Sequence, residues 1–277
     1  MPHSMKYTYG KNVLITGGSS GIGRSCAELF AQNGCTVYSA SRNPAQEIRK
    51  FDSGGEIRPL QMDITNEQSV VMAVESTLAQ ADIGIIVHSA GVGIACPAEE
   101  FPELPIERLL KTNFIGVLRL NHHLLPLLRN RGSGLCLMIS SVAALFPIPF
   151  QSHYCSSKSA LEAYAATLRM EMAEYNIKVA LVLPGDTNTG FTGARSYEIQ
   201  ESSPYYDRCI KAVSKMEKDE KNGRSPLSVA KAVWKLSEKK NPPLRTIVGL
   251  DYTFLTFLRR LLPERLIEYI LKKMYMG

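Results

Sequence analysis

Short apolar runs alternate with windows of helical periodicity along most of the chain, and that alternation leaves few folds open. Lys11-Asn-Val-Leu-Ile-Thr16 stops at Gly17, and residues 25–33 then repeat apolar side chains at helical spacing before Gly34. Further strand-like runs lie at 35–40, 57–62, 83–88, 135–140, 179–183 and 245–249, with helical patterns around 104–129, 154–175 and 226–239. The helix after the third run is predicted to start at Thr65, with Gln68 as its capping partner three residues on. The runs are apolar throughout rather than half-polar, as strands covered on both faces must be. The expectation is an α/β chain: a doubly wound parallel sheet of about seven strands in one domain, binding ligands at the carboxyl ends of its strands.

Composition excludes several function classes. The chain has 277 residues, 45% of them apolar, so it can bury a substantial core. The net charge of +6 comes from Lys and Arg scattered along the sequence, not from a basic block, so no nucleic-acid partner is expected. Cys26, Cys35, Cys96, Cys136, Cys155 and Cys209 form no C-x-x-C pair, which predicts free thiols, a cytoplasmic location and no metal site. Met1 to Lys6 lacks the apolar core of a signal peptide, and no run approaches the ~20 apolar residues of a membrane span.

Thr16-Gly-Gly-Ser-Ser-Gly-Ile-Gly23 sits between the first strand and the first helix. A glycine-rich turn there lets a ligand approach the backbone, and a helix N-terminus offers free N–H groups to a pyrophosphate. Gly17, Ser19, Ser20, Gly21, Ile22 and Gly23 are therefore candidate phosphate-cradle residues, although the spacing G-x-x-x-G-x-G differs from the common G-x-G-x-x-G. The second strand ends Ser39-Ala-Ser-Arg42, without the carboxylate that usually holds the ribose of NAD. Arg42, with Ser19 or Ser41, suits a 2′-phosphate instead and points to NADP(H); the plainer reading is a solvated arginine.

Tyr154 and Lys158 are four residues apart at the start of a predicted helix, so both face one ligand. A free tyrosine titrates near ~10, and a neighbouring ammonium together with a positive nicotinamide would lower that value toward neutral pH. Ser141, thirteen residues before Tyr154 and at the end of the fifth strand, can hold a substrate oxygen.

Taken together, T-G-x-x-x-G-I-G at 16–23, Asp63 after the third strand, Asn113, Ser141, Tyr154, Lys158 and the Pro184-Gly185 turn with Thr189 resemble the short-chain dehydrogenase/reductase family. The likeness runs from Lys6 to about Gly249 and implies a Rossmann fold. It further implies that Tyr154 is the general acid/base, that Ser141 orients the carbonyl, and that Lys158 lowers the tyrosine pKa and binds the nicotinamide ribose. Asn113 would support a water in the proton relay, Asp63 with Ile64 would meet the adenine, and Thr187 and Thr189 would meet the nicotinamide end. One departure stands out: His88-Ser-Ala-Gly91 replaces the family's Asn-Asn-Ala-Gly. Ala90 and Gly91 keep the backbone that passes the cofactor, Ser89 replaces a bracing asparagine, and His88 reads as a packed residue.

Specificity in such folds lies on loops beyond the strand ends. The polar segment 190–225, with Tyr197, Tyr205 and Tyr206, reads as a substrate lid, and Leu145 to Phe150 as an apolar passage. The stretch 228–249 resembles the hydroxysteroid and retinol dehydrogenase branch, which implies a lipophilic alcohol or ketone, steroid or bile acid first. Pro263 should split the amphipathic extension 253–277 into two short helices. Its stripe (Leu258, Leu261, Leu262, Leu266, Ile267, Ile270, Leu271) can serve as packing, partner interface or peripheral membrane contact, and packing at the mouth of the site is the expectation. A homodimer or homotetramer is expected from the resemblance and from the apolar face Val117, Leu120, Leu124, Leu125 and Leu128, a face whose alternative use is wholly against its own sheet.

Overall fold

Every one of the seven long apolar runs becomes a strand of one parallel sheet in the computed structural model, which describes residues 7–276. Met1 to Lys6, on which the signal-peptide reading rests, and Gly277 lie outside the described residues. The first half runs β1 (Asn12–Thr16), α1 (Gly21–Gln32), β2 (Thr36–Ser41), β3 (Arg49–Lys50), β4 (Glu56–Gln61), α2 (Glu67–Leu78), β5 (Ile85–His88), β6 (Ile94–Ala95) and α3 (Glu103–Leu110). A π-helical turn (Lys111–Ile115) leads into α4 (Gly116–Arg131), β7 (Gly134–Ile139), α5 (Ser152–Glu171) and β8 (Ile177–Pro184). Then follow β9 (Ser196–Tyr197), α6 (Tyr206–Lys221), α7 (Pro226–Ser237), β10 (Arg245–Val248), α8 (Leu250–Arg259) and α9 (Glu264–Met276).

The sheet order is β10-β8-β7-β5-β1-β2-β4-β3, with only the two-residue β3 antiparallel. The chain winds outward in both directions from β1, so the crevice of a doubly wound sheet opens between β1 and β5. On one face α1 and α7 cover Val13, Ile15, Val37 and Val87, with Phe30 edge-on to Trp234 at 5.1 Å. On the other, α2, α4 and α5 cover Leu14, Tyr38, Ile86, Met138 and Leu181. Burial on both sides of β1, β5, β7 and β8 is what their apolar runs required; truncating one such side chain to alanine typically costs ~2–5 kcal/mol.

Three expectations are corrected here. Asn66, not Thr65, caps α2: its side chain accepts from the Ser69 N–H, while the Thr65 N–H and hydroxyl both donate to Asp63 Oδ1. The segment 190–225 is not a plain loop. It holds β9, which pairs with β6, and the four-turn α6, whose Cys209, Val213 and Met216 are buried against Ala95. The α4 face expected to meet a partner subunit is consumed by its own sheet: Val117, Leu120, Leu124 and Leu128 are all buried in the core.

Candidate active site

The carboxyl ends of β1, β2, β5, β7 and β8 open into one long cleft with two lobes, of about 420 Å³ and 350 Å³. Both lobes touch Gly17, Ser20, Arg42, Ala90 and Gly91, so the cleft is continuous across the switch point between β1 and β5.

The glycine loop forms its floor. Gly17 has φ +69°, and a Cβ there would lie 2.9 Å from the Ala90 backbone; at Gly23 it would lie 2.2 Å from the Gly17 carbonyl oxygen. Glycine at these places lets α1 start directly against β1. Ser20 precedes α1 without a side-chain cap, which leaves the helix-end N–H groups to a ligand, and Gly21, Ile22 and Gly23 line the same wall. Thr16 ties the loop to β5: its hydroxyl accepts from the N–H groups of Ser89 and Ala90 at 3.1 and 3.2 Å. Both donors are main-chain N–H groups, so this tie does not depend on the side chain at 89. His88 is buried, as expected, with Nε2 donating to Asn121 Oδ1 at 2.9 Å, and the Asn121 amide in turn donates to the Tyr164 hydroxyl. Burial pushes the His88 imidazole down to about 4, so it is neutral at physiological pH.

The larger lobe is polar and cationic. Ser19, Ser41, Arg42, Asp63 and Ile64 line it as expected, together with Arg108, which no motif had marked. Ser41 Oγ is buried without a hydrogen-bond partner among the described residues, and Arg42 makes no ion pair there. Burial alone would raise the Asp63 carboxyl. The two Thr65 hydrogen bonds and the charges of Arg42 and Arg108 outweigh it and hold the carboxyl below the usual carboxylate range.

The smaller lobe gathers Ser141, Tyr154, Lys158, Pro184, Gly185, Thr187 and Thr189. Ser141 follows β7, and its hydroxyl accepts from the Ala143 N–H at 3.1 Å while sharing a hydrogen bond with the Tyr154 phenol. Lys158, one turn after Tyr154 on α5, is buried, donates to the Ile139 carbonyl at 2.9 Å and lies 5.8 Å from the Tyr154 ring centre. Burial holds its ammonium down to about 8. The expected lowering of the tyrosine does not emerge from these side chains. Burial pushes the Tyr154 phenol well above its ordinary value, and the Ser141 hydrogen bond and Arg195 charge offset this only in part, while Cys155 and Glu220 raise it further. The reason is geometric: the ammonium is directed at a carbonyl of β7, and the second charge in that expectation was the nicotinamide's.

Asn113 stands behind the cleft rather than in it. Its Oδ1 accepts from the Val92 N–H at 2.8 Å, and its Nδ2 donates to the Val92 carbonyl at 3.0 Å and Ser157 Oγ at 3.1 Å. Both Nδ2 hydrogens are thus engaged in fixing the Val92 loop to α5, while Oδ1 keeps a second lone pair. It still borders the ligand path, since a Cβ on Gly91 would meet Asn113 Oδ1 and Lys158 Nζ at 3.5 and 3.7 Å.

The substrate end is built from residues sequence reasoning passed over. Phe191 tilts against the Tyr154 ring at 5.8 Å, and Arg195, buried at 6% exposure, lies 5.7 Å from Phe191 and pairs with Glu220 at 2.6 Å and Glu217 at 3.4 Å. Tyr197 and Tyr205, the expected aromatic anchors, turn away to hydrogen-bond Glu217 and Glu99. Of the passage 145–150, Ile148 lines the lobe, whereas Phe146 sits under Arg259 and Phe150 packs beside α6. The nearest sequence hint to Phe191 was its position two residues beyond Thr189.

Residues 11–200 match the family model of the short chain dehydrogenases. A 3-ketodihydrosphingosine reductase of Bacteroides thetaiotaomicron is 36% identical over 267 residues, which cover 95% of this chain and 97% of that protein. Human retinol dehydrogenase 8 is 28% identical, with 90% and 85% covered. Among solved structures, a short-chain dehydrogenase from Streptomyces avermitilis superposes with a TM-score of 0.79 at 26% identity, covering 94% of this chain and 96% of that one. The chain belongs to the short-chain dehydrogenase family.

Proposed function

We propose that this oxidoreductase reduces a lipophilic ketone to a secondary alcohol, or runs the reverse, with NADP(H) and with Tyr154 as its proton donor. The observation that carries the reading is the convergence of Ser141, Tyr154 and Lys158 on one lobe that the apolar Phe191, against the Tyr154 ring, and Ile148 also line. Two features support a dinucleotide in the rest of the cleft: the orphaned Ser41 hydroxyl and the side-chain-free floor at Gly17 and Gly23, where a Cβ would clash with backbone. Gly17 to Gly23 would hold its pyrophosphate, Arg42 with Arg108 and Ser41 its 2′-phosphate, and Asp63 with Ile64 its adenine. When bound, it supplies or accepts the hydride. Ser141 orients the carbonyl oxygen by a hydrogen bond, and Tyr154 delivers the proton to that oxygen from 2.6–3.2 Å, the range such transfers need. Lys158 binds the nicotinamide ribose and supports proton return to the phenol, while Asn113 holds the wall behind them. The Val92 loop thereby keeps its place beside the ligand path.

The 36% identity to a protein named 3-ketodihydrosphingosine reductase favours a long-chain ketone over the steroid or bile acid that the family branch implied. The same reading includes a cytoplasmic location and a homodimer or homotetramer, formed through a face other than α4. Following NADPH oxidation with 3-ketodihydrosphingosine, a steroid ketone and retinal as parallel substrates tests it. Turnover of the long-chain ketone above the others is expected. Turnover with NADH and a small polyol-derived ketone alone would replace the reading with an NAD-linked dehydrogenase, and binding without any turnover would make the chain an NADP-binding regulator.

A further inference from the structure

Of the stripe expected to pack, Leu258, Leu262, Ile267 and Leu271 are half-buried, but the two C-terminal helices still expose an apolar surface. On α8 and the turn after it, Leu250, Phe254, Phe257 and Leu261 follow one another at spacings of four, three and four, so they form a single helical stripe. All four face solvent, at 87%, 61%, 58% and 66% exposure, and neither α8 nor α9 contains a fully buried residue. Beside this stripe α9 adds Leu266, Ile270 and Met274, a second exposed row at i, i+4 and i+8. Only the opposite edge of the tail is anchored: Tyr252 covers Gly185, and Tyr275 packs on the cluster of Cys209, Val213 and Met216. An exposed patch of this kind marks an interaction surface.

Charge decides what kind. Arg260, Arg265, Lys272 and Lys273 are exposed, and none of them lies within ion-pair distance of a carboxylate among the described residues. Arg224, by contrast, takes up the one acid of α8, Asp251. That leaves Glu264 and Glu268 against these four cations and Arg259, an excess of positive charge around an apolar stripe. A second copy of the same face would set cation against cation. An anionic lipid surface complements both parts, taking the aromatic and aliphatic side chains among its acyl chains and the cations among its headgroups. No helix of the described residues is long and apolar enough to cross a membrane, so the contact would be peripheral.

We propose that the outer face of α8 and α9 docks this protein on anionic bilayers. The inference stands apart from the identity of the ketone. The other edge of the same tail packs beside the cleft, since Met216 and Ile148 line the substrate lobe and also belong to the cluster that holds Tyr275.

The test is flotation of the full chain with phosphatidylcholine vesicles, with and without phosphatidylglycerol. Wild type should float only with the anionic vesicles and detach at high salt. Phe254→Glu with Phe257→Glu, and separately Arg260→Ser with Arg265→Ser, should each weaken binding at least about tenfold. Circular dichroism and thermal midpoints verify that these surface variants remain folded. Absence of flotation with anionic vesicles overturns the proposal, as does flotation that neither variant weakens. So does a wild-type dimer in light scattering that Phe254→Glu with Phe257→Glu converts to monomer, since the stripe would then be a subunit interface.

Discussion

Lys158 Nζ donates to the main-chain oxygen of Ile139, the last residue of β7, at 2.9 Å. The ammonium is thereby tied to the strand that leads into Ser141, which links the proton-handling groups of two elements. The tie also keeps a cation away from water, and burial holds Lys158 down to about 8 from an ordinary 10.5.

That depression has a defined pH signature. Below pH 8 the lysine is charged in folded and unfolded chains, and the folded state carries the whole cost of burying the charge. Between 8 and 10.5 only the unfolded chain keeps the proton, so the cost fades as pH rises, and above 10.5 it is gone. The full shift corresponds to on the order of 3 kcal/mol. Lys158→Met should therefore gain stability over wild type at pH 7, less the bond to Ile139, and lose that advantage toward pH 10.5. Urea midpoints of both proteins at each pH check this. Comparing the two cancels the opposite contribution of Cys26 and Cys136, thiols that burial pushes up to about 12.

His88 gives a second titration in the acid range. Its folded value of about 4 lies below the ordinary 6.5, so its contribution is fully present above pH 6.5 and is lost as pH falls through 4. His88→Asn should flatten the fall in stability between pH 6.5 and 4, by a few kcal/mol at most. Urea midpoints across that interval measure it; a variant with the wild-type slope would assign the acid sensitivity elsewhere.

Tyr154→Phe should lower turnover by about 10²–10⁴-fold and leave NADPH affinity within a factor of about two, because only the proton donor is removed. Fluorescence titration reads the affinity and NADPH oxidation the rate.

Arg42→Asp should weaken NADPH binding by about tenfold to a hundredfold, the worth of charge-assisted bonds to one phosphate, and shift preference toward NADH. Arg108→Ala should weaken NADPH in the same direction and leave NADH unchanged. Titration of each variant with both nucleotides separates the two arginines.

These predictions draw on parts of the molecule that were unequally legible in the sequence. The central strands could be read because burial on both faces demands an unbroken apolar run, and Val13 to Ile15 or Leu135 to Ile139 carry nothing else. Gly17, Ser141, Tyr154 and Lys158 could be read because each motif sits at a strand end or a helix start, where backbone geometry fixes its direction. The substrate end was not legible. Arg195 and Glu220 are 25 positions apart and meet only because α6 folds back over the Phe191 loop, and no local periodicity records such a return. Polar composition made 190–225 read as a lid, with an exposed helix only from Lys211, yet α6 needs only Cys209, Ala212, Val213 and Met216 to hold one face down. The tail was read correctly as two helices broken at Pro263, but the direction of their stripe depends on Tyr252 and Tyr275, which anchor the opposite edge.

The π-helical turn at Lys111–Ile115 works as a phase coupling between two shafts. One residue more than an α-helical turn requires is wound into it, which offsets α4 from α3 by roughly 100°. Upstream of the coupling, Ile106 and Leu109 pack beneath the substrate lobe with Ile94 and Tyr154; downstream, Leu120 and Leu124 pack under the sheet. A continuous α-helix through this stretch could satisfy only one of those two bearings. The wall of the reaction chamber and the foundation of the sheet are thus set to independent angles on a single rod, with Asn113 as the pin that locks the offset.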